Sequence, residues 1–240
     1  MIAVLPMYDW PEERAATDAF WTRLRDALRA EGFDAPDTLT RGGDPWSLWR
    51  HPDLMLGQTC GLPFSLELNE KTHLVGAPDP GLDGCPPGHY QSVIAARADD
   101  PRGVGELLAA RVAVNEPMSQ SGWGALAFWV QEQGLALSGE ISLTGSHHGS
   151  AREIADGRAD IAALDAATWR LVERHMPEVA DRLRVVARTR PTPALPFITA
   201  RRFDAGRVAN AVAAALGPSF VRFRPDDYLS VPRLPFPAAD

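Results

Sequence analysis

Residues 115–123 (NEPMSQSGW) combine two serine hydroxyls and a glycine where a predicted strand gives way to a predicted helix. The first N–H groups of a helix have no partner inside the helix, and the helix dipole makes that end positive. Small hydroxyl side chains beside such N–H groups can hold an anion without a basic residue. Ser119, Gln120, Ser121 and Gly122 are therefore candidate oxyanion-binding residues, although a serine at this position can also serve only as a helix cap.

Three further segments follow predicted strands in the same way. Residues 144–150 (TGSHHGS) contain two adjacent histidines, His147 and His148, which point to opposite sides of an extended chain, so at most one of them faces a ligand. Gln58 and Thr59 follow a second strand, and Asp165 follows a third, where it either contacts a ligand or caps the next helix. Ligands of parallel sheets gather at the carboxyl ends of the strands, which makes all four segments candidates for one site.

Catalytic and metal-binding motifs are absent from the sequence. It contains no G-x-G-x-x-G, no phosphate-binding loop, no G-x-S-x-G elbow and no H-E-x-x-H, and its six histidines show no ligand spacing. We therefore predict neither a metal nor a cofactor. One catalytic hypothesis stays open, in which Cys60 at a helix start is a nucleophile and His147 its base.

Charge and composition exclude several classes of protein. Lys and Arg number 24 against 31 Asp and Glu, a net charge of −7, and the positive charges form no stripe that could bind nucleic acid. No apolar run approaches the roughly 18 residues that predict a membrane span. The first residues are typical of a strand, not of a leader, which leaves a cytoplasmic chain or a removed leader as alternatives. Two cysteines, Cys60 and Cys85, are compatible with one disulfide or with two thiols.

Strands and helices alternate along the chain, which predicts an α/β fold with mainly parallel sheets flanked by helices. The predicted strands are 2–5, 53–57, 73–76, 90–97, 111–115, 140–144, 160–164 and 183–189, and the predicted helices are 11–32, 62–68, 105–110, 121–133, 150–156 and 166–175. The extended segments 99–103 and 191–196 are predicted to be crossings between lobes. We therefore expect a discontinuous first lobe of residues 1–93 and 191–240, and a second lobe of residues 94–190.

The chain resembles the phosphate, phosphite and phosphonate substrate-binding proteins of ABC transporters. The resemblance rests on LGQTCG (56–61), GC (84–85) followed by YQS (90–92), SQSG (119–122), TGSH (144–147) and GRADIAALD (157–165). It implies the two-lobe type 2 periplasmic-binding-protein fold, with a small oxyanion or phosphorylated ligand captured between the lobes and delivered to an ABC permease. It also implies a periplasmic protein without catalysis, and we expect a monomer.

The resemblance also implies roles for individual residues. Ser119, Ser121, Gly122, His147 and Tyr90 correspond to the ligand contacts of the family. Tyr8 and Trp46 are aromatic candidates by topology, and Cys60 with Cys85 resembles a pair that forms a disulfide in an oxidising compartment. Gln120 replaces the small hydroxyl residue common in phosphonate binders, and residues 166–167 are alanines without the acidic group that an aminophosphonate's amine requires. Aminoalkylphosphonates are therefore disfavoured.

Two other functions are compatible with such a fold, because one fold hosts many activities. The first is an enzyme, either similar to thiamine-pyrimidine precursor synthases or a hydrolase that depends on Cys60. The second is a cytoplasmic sensor that reports a ligand to a partner.

Overall fold

A computed structural model describes residues 1–237 and divides the chain into two compact units. Unit 1 contains Met1–Gly81, Pro87–His89 and Pro193–Val231, and unit 2 contains Leu82–Pro86, Tyr90–Thr192 and, within the described residues, 232–237. The predicted first lobe differs from unit 1 at residues 82–86, 90–93, 191–192 and 232–237, which group with unit 2. The predicted lobe's residues 238–240 lie outside the described residues. No helix in residues 1–237 is long and apolar enough to cross a membrane.

Each unit contains one five-stranded sheet with helices packed on it. The strands are β1 (Ile2–Val4), β2 (Leu54–Gln58), β3 (Thr72–Pro78), β4 (His89–Tyr90), β5 (Ser92–Arg97), β6 (Arg111–Val114), β7 (Glu140–Leu143), β8 (Ile161–Asp165), β9 (Leu183–Arg188), β10 (Thr192–Pro193), β11 (Phe197–Ala200) and β12 (Phe220–Val221). The α-helices are α1 (Arg14–Ala30), α2 (Pro45–Trp49), α3 (Gly61–Leu66), α4 (Val104–Leu108), α5 (Ala125–Glu132), α6 (His147–Ala155), α7 (Ala166–His175), α8 (Pro177–Ala180), α9 (Ala205–Leu216) and α10 (Pro225–Leu229).

The sheet of unit 1 has the order β1-β2-β11-β3-β12. β1 runs parallel to β2, whereas β11 runs antiparallel to both of its neighbours, β2 and β3. In α1, Trp21, Leu24 and Leu28 are buried because their spacing of three and four places them on one side of the helix. α9 was not predicted, although Asp204 caps its first turn by accepting from the N–H of Arg207.

The sheet of unit 2 has the order β7-β6-β8-β5-β9. β6 runs parallel to β7 and to β8, whereas β5 runs antiparallel to β8 and β9. Residues 92–96 of β5 are all buried, without the alternation of a half-exposed strand. A strand covered on both faces shows this pattern, so both faces of β5 are packed against other parts of the unit.

The antiparallel strands β5 and β11 correct the sequence-based expectation of parallel neighbours. Each is the first strand of its five-stranded sheet after the chain passes from the other unit. A helical crossover fixes the parallel direction of two strands within one unit. A strand that the chain enters from the other unit has no such crossover. Both β5 and β11 run opposite to their neighbours.

Two buried aspartates form an ion-pair network at the amino-terminal end of β6 in unit 2. Asp160, which is 5% exposed, accepts hydrogen bonds from Arg102 Nη2 at 2.6 Å and from Arg111 Nε at 2.9 Å. Asp100 accepts a hydrogen bond from Arg102 Nη2 at 2.6 Å. These side-chain hydrogen bonds lower the pKa of Asp100 to about 2 and hold the pKa of Asp160 far below its ordinary value. The network therefore joins the loop before α4 to the starts of β6 and β8.

Replacing Asp160→Asn should lower the free energy of unfolding by about 2 kcal/mol, since both arginines lose a charged partner. The exposed Asp156→Asn, which also removes an ion-paired carboxylate, should change it by less than about 0.5 kcal/mol. The pKa of Asp160 in the folded protein is depressed. Its stabilising contribution to the free energy of unfolding is therefore complete when the pH is above the ordinary value of 3.8, and it is lost as the pH falls below 3.8. Urea denaturation at several pH values measures the free energy of unfolding of each variant. An equal loss in the Asp160 and Asp156 variants would contradict the stabilising role of the network.

Candidate anion-binding site

Residues 119–122, which we call the serine turn, begin the helical segment that follows β6. Ser119 Oγ accepts the N–H of Gly122 at 3.0 Å, and the carbonyl oxygen of Ser119 accepts the N–H of Gly124 at 3.0 Å. Gln120–Gly124 is a π-helical turn that continues into α5, and all five of its residues are buried. The structure therefore has a capped helix start where the sequence predicts one.

The close approach of Asn115 explains why residue 122 is a glycine. A Cβ atom on Gly122 would lie 1.8 Å from Asn115 Oδ1, much nearer than side chains tolerate. At Gly124, two residues later, a Cβ would lie 3.4 Å from Gln120 Oε1, which is ordinary contact. Asn115 Oδ1 is itself buried and makes no hydrogen bond to any described residue. Asn115 therefore fixes the path of the turn by its proximity.

Ser92 attaches the serine turn to β5, a buried strand of unit 2. Its Oγ donates to the carbonyl oxygen of Ser121 at 2.7 Å, and its N–H donates to Thr189 Oγ1 at 2.9 Å. Sequence reasoning did not select Ser92 as a site residue. A single serine at the start of an otherwise apolar buried strand was the signal that could have identified it.

His147 is the first residue of α6, and its imidazole contacts the serine turn. Nε2 of His147 lies 2.8 Å from Ser121 Oγ. Ser146 caps α6 by accepting the N–H of Gly149 at 3.1 Å, so the helix begins three residues earlier than the predicted start at Ser150. His148 is exposed, with its Nε2 3.3 Å from Ser146 Oγ. Two separate predicted segments thus meet at the Ser121–His147 pair.

The groups of this site are neutral donors and acceptors. Burial lowers the pKa of His147 to about 4; the carbonyl oxygen of Ala163 opposes this shift, and His148 adds to it. Burial also raises the pKa of Glu116, the acidic residue nearest to the turn in sequence. Residues 115–122 and 144–150 contain no Lys or Arg. At neutral pH the imidazole of His147 is therefore uncharged, and hydroxyl and N–H dipoles supply the local field.

Two other predicted contacts lie in unit 2. Asp165 ends β8 and caps α7, because its Oδ1 accepts from the N–H groups of Ala167 at 2.7 Å and Thr168 at 3.0 Å. It pairs in register with Ser92, the residue that holds the serine turn. Tyr90 is 1% exposed and ends β4. Asp165 thus has the capping role that the sequence left open, and a ligand contact by it stays a prediction.

Unit 1 contains the remaining candidates. Tyr8 is half-buried in the loop after β1, and Gln58 ends β2, where its carbonyl oxygen accepts from Trp49 Nε1 at 3.0 Å. Thr59 is fully buried, and its Oγ1 makes no hydrogen bond within residues 1–237. Trp46 packs edge-on against Trp49, with 5.6 Å between ring centroids. Their contact with a ligand stays a prediction.

The two cysteines belong to different units: Cys60, immediately before α3, lies in unit 1, and Cys85 lies in unit 2. The disulfide implied by the family resemblance stays a prediction for oxidising conditions. The described residues contain no group of three or more His, Cys, Asp or Glu side chains that could hold a metal ion.

Comparison with protein families gives a match over residues 73–217, to the family described as the periplasmic phosphonate substrate-binding proteins of ABC transporters. The match includes the serine turn, His147 and Asp165. No curated protein sequence matches the chain.

Several solved structures are similar in fold. PhnD1 from Prochlorococcus marinus, solved in complex with methylphosphonate, is 12% identical with a TM-score of 0.70, over 95% of this chain and 94% of PhnD1. XAC2383 from Xanthomonas citri, bound to chloride, is 16% identical with a TM-score of 0.69, over 94% of this chain and 92% of that protein. A binding-protein component of a phosphonate ABC transporter from Pseudomonas aeruginosa is 15% identical with a TM-score of 0.63, over 89% of this chain and 72% of that protein. The two-lobe type 2 fold is therefore confirmed.

Two glycines in the π-helical turn provide a matched test of its geometry. Gly122→Ala should destabilise the protein by at least about 1 kcal/mol, because the new methyl group must displace Asn115. Gly124→Ala should be neutral or stabilising by up to about 1 kcal/mol, since alanine restricts the unfolded chain without a clash. Denaturant unfolding of both variants measures the difference, and similar effects would show that the approach of Asn115 does not constrain the turn.

The pKa of His147 predicts a specific pH dependence. Its folded value of about 4 lies below the ordinary 6.5, so between these values the unfolded chain binds more protons. The free energy of unfolding should therefore fall as the pH drops from about 6.5 towards about 4, and His147→Gln should remove that part of the decline. Thermal unfolding across this range measures it. Parallel pH profiles for the two proteins would overturn this account of His147.

Proposed function

This chain belongs to the periplasmic phosphonate substrate-binding proteins of ABC transporters, and from that premise we propose that it binds a small tetrahedral oxyanion at the serine turn. The chemical class is a phosphonate or a related phosphite or phosphate. As a member of this family, the chain is a substrate-binding component, and the family implies an ABC permease as its partner.

The Ser121–His147 pair at the head of a capped helix is the observation that carries the proposal. Backbone N–H groups at the start of the helix and the hydroxyls of Ser119 and Ser121 are donors to the oxygens of an anion. These donors are held in advance: Ser119 by its capping bond, and Ser121 by Ser92 on its carbonyl. In the tautomer of His147 that donates from Nε2 to Ser121 Oγ, the hydroxyl proton of Ser121 is left for the anion. The side chains of the site therefore lose little conformational entropy when the ligand binds.

Neutral donors suit a buried anion in an acidic protein. The net charge of −7 would repel an anion at long range, but the dipoles of the helix start act locally and are not shared with other ions. A site without Lys or Arg also carries no uncompensated positive charge when it is empty. This arrangement favours a ligand small enough for all of its oxygens to reach the turn.

Ligands with an amino group are disfavoured. Asp165 Oδ1 is already used by two backbone N–H groups of α7, and residues 166 and 167 are alanines. An alkylammonium group would therefore lack a dedicated acidic partner at this end of β8. Methylphosphonate, phosphite and phosphate are the ligands to test first.

Binding without catalysis is part of the proposal. A hydrolase that depends on Cys60 would need His147 as its base, but Nε2 of His147 is hydrogen-bonded with Ser121. A general base works best when its pKa is near the operating pH, whereas the pKa of His147 is about 4. This supports a positioning role for the imidazole and argues against the Cys60-dependent hydrolase.

We also propose that the protein acts in the periplasm as a monomer. The family description supports the location. A cytoplasmic sensor would need neither an oxidising compartment nor a permease. Fractionation of the native host, with size-exclusion chromatography of the purified protein, separates these alternatives.

Removing the donors of the site should weaken anion binding. Ser121→Ala and His147→Ala should each reduce affinity for the preferred oxyanion by about 10- to 100-fold, the usual effect of a lost hydrogen bond to a charged group. His148→Ala is the matched control, because the ring of this exposed neighbour pairs with Ser146 Oγ, and it should leave the affinity unchanged. Isothermal titration calorimetry with methylphosphonate, phosphite, phosphate and sulfate measures each affinity.

Two results would contradict the proposal. Wild-type protein that binds none of the four anions would show that the serine turn serves another ligand. An equal loss in the His147 and His148 variants would show that the effect is not specific to the pair.

A further inference from the structure

Residues 232–237 (PRLPFP), which we call the proline tail, pack in unit 2 against the helical segment that begins at the serine turn. Trp123 Nε1 donates to the carbonyl oxygen of Leu234 at 2.9 Å. The ring of Phe236 lies edge-on to Trp123, with 4.9 Å between centroids and an interplanar angle of 70°. Leu234 and Phe236 both pack against the hydrophobic core of unit 2. Trp123 is consequently only 5% exposed.

The chain that leads into the proline tail is firmly anchored in unit 1. Tyr228 of α10 is 1% exposed, and its hydroxyl donates to the carbonyl oxygen of Ala194 at 2.6 Å. Its ring also lies against Phe64 and Phe223, with centroid distances of 5.3 and 5.7 Å. The chain passes from unit 1 to unit 2 between Val231 and Pro232, three residues after this anchor.

The composition of the proline tail favours an ordered, extended segment. Pro232, Pro235 and Pro237 each have a fixed φ angle and no N–H to satisfy. A segment restricted in this way loses less conformational entropy when it docks than an ordinary chain end would. The tail can therefore hold its contacts with Trp123 although it has no regular secondary structure.

Trp123 links the proline tail to the serine turn. It follows Gly122 directly and lies inside the π-helical turn, a geometry that is rare and needs support from its surroundings. Asn115 limits the turn near Gly122, and Ser92 holds the carbonyl of Ser121. The proline tail covers the remaining side of this segment at Trp123.

We propose that the proline tail is a strap that keeps the serine turn in its anion-binding conformation, with Trp123, Leu234 and Phe236 as positioning residues. This inference rests on the proposed function, because anion affinity is one of its readouts. The strap itself contributes no donor to the anion. It acts only through the indole of Trp123.

The main test compares the full chain with a variant that ends at Val231. The shortened protein should bind methylphosphonate, or whichever tested oxyanion the full chain prefers, about 10-fold more weakly. Backbone amides of residues 119–124 should exchange with deuterium faster in the ligand-free shortened protein, as measured by mass spectrometry. A synthetic peptide of residues 232–240 added in trans should restore both properties, which a general loss of stability would not allow.

Point variants keep the test decisive if the shortened protein fails to fold. Phe236→Ala should reproduce the faster exchange and weaker binding, whereas Pro235→Ala, at an exposed position of the same segment, should not. Trp123→Phe removes the indole donor to Leu234, and Trp129→Phe on α5 is its control.

The outcomes separate this inference from the proposed function. If the full chain binds an oxyanion and the shortened or Phe236 variant binds it equally, with unchanged exchange at 119–124, the strap is overturned. If the full chain binds none of the anions, the proposed function fails, but the exchange measurement still decides whether the tail holds the turn.

Discussion

The hydrogen bond from Ser92 Oγ to the carbonyl oxygen of Ser121 is the constraint on which the candidate site depends. It joins an irregular turn to β5, whose residues 92–96 are all buried. A π-helical turn is a rare geometry, so its conformation depends on contacts with its surroundings. With Ser92 on one side and Asn115 against Gly122 on another, the turn has little freedom to adopt other conformations.

Unit 2 separates its charged groups from its neutral site along a single strand. Arg111, at the start of β6, belongs to the Asp160 network, whereas the serine turn follows the strand's other end. Four residues of extended chain span about 13 Å. The ion pairs therefore stabilise the sheet at the end of β6 that lies away from the Ser121–His147 pair. At the other end, burial lowers the pKa of His147.

Local features of the site could be predicted from the sequence, because capping residues indicate where helices begin. Ser119 was identified in this way, and α7 was predicted with the bounds that the structure has. His147 was selected from the family resemblance, because α6 begins three residues before its predicted start. The reversed direction of β5 and β11 could not be predicted, because no local pattern encodes strand direction. Ser92 was missed because its partner is 29 residues away, and the contact of the tail with Trp123 joins residues 111 positions apart. Such contacts depend on the tertiary fold.

The contact between Trp123 and Leu234 has a consequence for how the protein folds. Closing a loop of this length costs entropy before the contact returns any free energy, so such contacts form late. During synthesis, the strands and helices of unit 2 from Tyr90 to Thr192 would leave the ribosome long before Leu234 and Phe236. The contacts of Trp123 with Leu234 and Phe236 are therefore expected to form only after the rest of unit 2 has been synthesised.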